Sequence, residues 1–99
     1  MIARHWTGLA KPTHADRYEA HLRSQTLPSL REIQGFVDVY VLKRDVPLGV
    51  EFLVITVWES MDAIMRFAGN HVERAVVPTV VHDMMVAYDR TVRHYDVID

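Results

Sequence analysis

No cysteine occurs anywhere in the 99 residues, which removes disulfide scaffolds, thiolate nucleophiles, iron–sulfur clusters and cysteine-ligated zinc from consideration. Neither sign of charge dominates, with 11 Lys and Arg against 13 Asp and Glu for a net charge of -2. Without a basic stripe there is no electrostatic case for nucleic acid or an anionic membrane. No apolar run approaches the roughly 18 residues of a membrane span. The opening Met1-Ile-Ala-Arg-His-Trp6 lacks the basic and apolar regions of a secretory leader, so a cytoplasmic location is expected. Glycine-rich phosphate loops, the G-x-S-x-G elbow and H-E-x-x-H are also missing, which argues against nucleotide enzymes and hydrolases. His71-Val-Glu73 and His94-Tyr-Asp96 each offer two polar ligands without a third, so no metal site is expected.

What is present is most informative between Glu51 and Gly69. Residues 52–58 are almost wholly apolar and rich in β-branched and aromatic side chains, as in a strand covered on both faces. One face carries Leu53, Ile55 and Val57, and the other carries Phe52, Val54, Thr56 and Trp58. Ser60 is placed to cap a following helix, Asp62 suits its first turn and Gly69 its end. Met61, Ile64, Met65 and Ala68 form its apolar stripe. The plain expectation packs this stripe on Leu53, Ile55 and Val57, leaving Phe52, Val54, Thr56 and Trp58 on an open face.

A chain of this length forms a single domain, residues 1–99, burying roughly two thirds of its unfolded surface. Residues 2–9 read as a strand, and Thr13 with Asp16 resembles a capping box opening a helix with Ala15, Tyr18 and Leu22 on one face. Pro28 is expected to break that helix and Gly35 to close the segment. Residues 36–44 alternate as a second strand, and Pro47-Leu-Gly49 turns it into the third. Val72 to Ala87 reads as one helical turn and an irregular crossing, and residues 90–98 as a fourth strand. The order β-α-β-β-α-β is the ferredoxin-like α+β plan, two helices on one face of a four-stranded antiparallel sheet. The open face, with Phe36, Tyr40, Phe52, Val54 and Trp58, is too apolar to stay wet, so a homodimer is expected.

Gly35-Phe36 opening the second strand, Val57-Trp58-Glu59-Ser60 ending the third, the Ala63-Ile64 helix and the closing His94-Tyr95-Asp96-Val97 resemble the antibiotic biosynthesis monooxygenase superfamily over nearly the whole chain. The resemblance implies a dimeric α+β barrel in which two sheets pair, with a pocket in each subunit between sheet and helices. It also implies one of several activities: O2-dependent oxidation of polycyclic phenols or quinols without a cofactor, haem cleavage, lactone isomerisation, or binding without catalysis. In the haem-degrading branch an Asn on the first strand, a Trp ending the third and a His on the second helical region form the site. Here the Trp falls on Trp58, the Asn position on His5, and the His on His71 or His82. The missing Asn favours the cofactor-free oxygenase, with haem as the alternative.

A phenol or quinol reacts with O2 far better as its anion, so such an oxygenase needs a base and a dry, shaped pocket. His5 is the expected base. Trp58, Phe52 and Tyr40 would stack on a small aromatic substrate, Thr56 would donate a hydrogen bond to it, and His71 would complete the binding set. The assignment of His5 depends on strand phase, because the opposite phase turns Arg4 and Trp6 into the pocket. His14 and His21 are expected in solvent.

Overall fold

The computed structural model describes residues 1–99 as a helical layer on one face of an antiparallel sheet. Its elements are β1 (Ile2–Ala10), α1 (Ala15–His21), a π-helical turn at Leu22–Thr26, α2 (Leu27–Arg31), β2 (Phe36–Val46), β3 (Gly49–Trp58), α3 (Met61–Ala68), α4 (Thr79–His82), β4 (Met85–Tyr88) and β5 (Arg93–Asp96). The ferredoxin-like α+β plan holds, with one departure. The expected fourth strand, residues 90–98, is only β5, and a further strand, β4, forms in the segment expected to be an irregular crossing; both pair with β1, β4 along residues 8–10 and β5 along residues 2–5. Together they form the edge that one strand was expected to make.

Local chemistry explains most boundaries. The Ser60 side chain accepts from the Ala63 N–H at 3.2 Å, and Gly69, at φ 76°, supplies the left-handed C-terminal residue. Gly35, at φ 93°, also lets α3 approach, since a Cβ there would lie 2.4 Å from Ala63 Cβ. The first helix differs from expectation. Thr13 bonds the His14 ring at 2.9 Å instead of capping the helix, and Pro28 does not break the run. Pro28 falls in the first turn of α2, directly after the π-helical turn, where its fixed φ suits the helical backbone.

The helices cover the face of β3 opposite to the one expected. Phe52, Val54, Thr56 and Trp58 are buried beneath them, whereas Leu53, Ile55 and Val57 are only partly covered on the open face. The chain leaves β3 at Glu59-Ser60 on the side where Trp58 points, and α3 folds straight back over it. Leu30, Ala63, Ile64 and Trp58 form one fully buried cluster. Tyr18, Leu22, Phe52, Val81 and Met84 belong to a second.

Pairing carries this phase into β1. Arg4 lies opposite Thr56 and Trp6 opposite Val54, so both face the helices, and His5, opposite Ile55, does not. Gly8 makes room for this phase: a Cβ there would meet the Trp6 ring at 2.4 Å, so the indole lies directly over the glycine.

Candidate functional site

Between the two buried clusters the helices and sheet leave a cavity of about 390 Å³. Tyr18, Leu22 and Val81 wall it from one cluster and Leu30 from the other. Val54 and Thr56 come from β3, Arg4 and Trp6 from β1, and Phe67 from α3. Val76, Val77 and Pro78 close it from the segment before α4, and Gln25 and Thr26 from the π-helical turn. Aliphatic side chains make up most of the lining, with the rings of Trp6, Tyr18 and Phe67 set among them, and polar atoms are few, as in sites for small apolar ligands.

Its polar groups have distinct states. The Trp6 indole N–H donates to the Asp89 carbonyl at 2.9 Å, which holds that ring in place. Thr56 Oγ1 accepts from Trp58 Nε1 at 2.8 Å, leaving its own hydrogen available to a ligand. Burial pushes the Tyr18 phenol above its ordinary range, so this residue stays neutral. His21 lines the cavity, and its Nε2 is buried with no hydrogen-bond partner. An uncommitted buried ring nitrogen is costly.

Arg4, 4% exposed, ties the closing segment to the sheet. Its Nη1 donates to Val72 O at 2.5 Å and its Nη2 to Arg74 O at 2.8 Å, with the Phe67 ring 5.7 Å away. Nη1 also lies 3.0 Å from His94 Nε2. Since a guanidinium only donates, His94 accepts and carries its proton on Nδ1. Burial first, then the Arg4 charge, hold the His94 pKa below the ordinary imidazole value, while Glu73 acts in the opposite sense.

A histidine depressed in this way binds fewer protons folded than unfolded, so its contribution to stability is complete above the unfolded pKa, about 6.5. That contribution is lost as pH falls through the depressed folded value. The unfolding midpoint of the wild type is therefore expected to drop below about pH 6.5 more steeply than that of His94→Gln, whose amide oxygen accepts from Arg4 but does not titrate. Parallel pH dependences in urea or thermal unfolding would contradict this assignment.

The structure brings together few of the residues singled out in the sequence. Thr56 lines the cavity. Trp58 stands directly behind it, with no exposed surface, its ring against Phe36 and Phe67. Phe52 is buried on the far side of Tyr18, whose ring meets it edge to face at 4.8 Å. His5 is on the open face against Tyr95, with ring centroids 4.9 Å apart. Tyr40, opposite Ile55, is on that face too and 54% exposed. His71 is exposed, 4.0 Å from Glu73 in its own loop, and His82 stacks on Tyr88 outside the cavity. Conversely, His21 is not simply in solvent. The spacing Tyr18, His21, Leu22, Gln25, one helical face, is the signal that could have revealed it.

Comparison with known proteins agrees with this architecture. No curated protein matches the chain. Among solved structures, a putative antibiotic biosynthesis monooxygenase from Bacillus cereus superposes with a TM-score of 0.68 at 21% identity, covering 100% of this chain and 93% of that one. One from Deinococcus radiodurans gives 0.72 at 15% identity, covering 100% and 94%. The haem-degrader MhuD from Mycobacterium tuberculosis, with two haems bound in its active site, gives 0.58 at 17% identity, covering 97% and 95%. At such identities the likeness shows the fold. The family model for antibiotic biosynthesis monooxygenases matches residues 1–77, the stretch that holds β1 to α3 and most of the cavity wall, and the chain belongs to that family.

Proposed function

We propose that the protein oxidises a small hydroxylated aromatic compound with O2 in this cavity, without a cofactor. The observation that carries the reading is the pairing of aromatic walls with an uncommitted imidazole, His21 Nε2. Trp6, Tyr18 and Phe67 hold the planar ring and exclude water. His21 takes the hydroxyl proton, and the Thr56 hydroxyl donates to the resulting phenolate oxygen. The electron-rich anion then reacts with O2 at the ring carbon opposite. One oxygen atom becomes the new carbonyl and the other leaves as water, so a phenol and O2 become a quinone and H2O with no outside reductant.

His21 replaces His5 in this reading because His5 is on the other side of the sheet. Haem is supported less well. Of the residues matched to the haem-degrading set, Trp58 is packed under α3, while His5, His71 and His82 are outside the cavity.

The reading is tested by O2 uptake and product spectra of the pure protein with a panel of anthrones, 1-naphthols and phenols whose ring carbon opposite the hydroxyl is free. Turnover above the uncatalysed rate supports it. Binding without O2 uptake across the panel would leave a small-molecule-binding protein instead.

The same proposal includes a homodimer. Tyr40, Leu42 and Tyr95 are about half exposed on the same face as the partly covered Leu53, Ile55 and Val57, an apolar surface of the kind that partners cover. Light scattering at micromolar concentration should give twice the chain mass of 11.5 kDa, and Ile55→Glu, at the centre of that face, should return the single-chain mass. A wild type of single-chain mass would rule out sheet-to-sheet pairing.

A further inference from the structure

Arg4 is a buried cation with no anion. No carboxylate lies within ion-pair distance of it, since the four ion pairs of the structure involve other residues. Its partners are two carbonyls and a neutral imidazole, and burial alone lowers its pKa to about 10, which leaves it charged at neutrality. Three neutral acceptors compensate only part of the cost of removing a full charge from water. Those contacts employ both hydrogens of Nη1 and one of Nη2, so the guanidinium's Nε–H and second Nη2–H have no partner. Arg4 also lines the aromatic cavity.

We propose that Arg4 is the anion-recognition residue of the cavity and that the ligand is an aromatic carboxylate. A carboxylate matches the two free donors of a planar guanidinium better than a phenolate, which offers a single oxygen. Its single charge balances the single fixed cation, whereas a phosphate dianion would bury an excess negative charge among Trp6, Val54 and Phe67. Resting on the function proposed above, this narrows the substrate class to hydroxyaryl carboxylates, with the acid group on Arg4 and the reacting hydroxyl elsewhere in the cavity. Binding also neutralises the charge beside His94, so occupancy and the hold on the closing segment Val72–Pro78 are coupled.

A matched pair of probes tests this without any variant: 5-hydroxy-2-naphthoate, whose ring carbon opposite the hydroxyl is free, and its uncharged amide, titrated into the wild-type protein by calorimetry. The acid is expected to bind at least about tenfold more tightly, the usual scale of a charge-assisted hydrogen bond in a dry site. Arg4→Lys, which keeps the charge but not the fork, should retain part of that preference, and Arg4→Gln should abolish it. Equal binding of acid and amide to the wild type would overturn the proposal, whatever the variants do. O2 uptake with the amide and no preference for the acid would remove the anion site while leaving the oxidation reading intact. A preference for the acid without O2 uptake by any probe would do the reverse.

Discussion

Trp58→Ala is expected to remove a large part of the protein's stability. Trp58 has no exposed surface and sits among Leu30, Ala63, Ile64, Phe36 and Phe67, so truncation removes a large buried ring and leaves a cavity that the adjoining helix and strand cannot close. Such substitutions cost about 3–5 kcal/mol, against a total near 5–15 kcal/mol for a domain of this size. At about 4–8 °C per kcal/mol, the midpoint should fall by roughly 12–40 °C in calorimetry. Trp58→Phe keeps the stacking with Phe67 but removes the donor to Thr56 and should cost much less. A Trp58→Ala protein that melts within a few degrees of wild type but binds aromatic ligands poorly would restore Trp58 to the role of substrate platform.

His21→Ala is expected to reduce O2-dependent turnover by about 10²–10⁴ while leaving ligand binding within roughly threefold, since a base acts on the proton and adds little to affinity. His5→Ala is the control: its ring is on the open face against Tyr95, so turnover should persist. Turnover of His21→Ala within threefold of wild type would assign proton removal to solvent and leave His21 as a wall residue.

The misplacement of His5 has a physical origin in strand phase. Residues 52–58 are apolar on both faces, so their alternation identifies a strand without saying which face the helices cover. A strand has period two, and an inverted phase moves every side chain to the other side of the sheet. The expected phase of β3 put Leu53, Ile55 and Val57 under the helices in place of Phe52, Thr56 and Trp58, and the register of β1 on β3 puts Arg4 and Trp6, not His5, on the face of Thr56 and Val54. The burial of Arg4 is not legible in neighbouring residues because its partners, Val72, Arg74 and His94, are 68, 70 and 90 residues away in sequence.

By itself the sequence determined what depends on neighbours along the chain: the αβ plan, the Pro47–Gly49 hairpin, the Ser60 cap, the Gly69 stop, the family resemblance and the exclusion of cysteine chemistry. These follow from short-range hydrogen bonding and backbone sterics, which a few consecutive residues specify. The tertiary structure alone decided which face of the sheet is covered, that the last edge is split between β4 and β5, and that Arg4, Trp6, Tyr18, His21, Thr56 and Phe67 enclose one cavity. Those outcomes depend on which buried groups find partners across the fold, where an arginine is satisfied by carbonyls of a distant loop and an imidazole nitrogen is left without a partner.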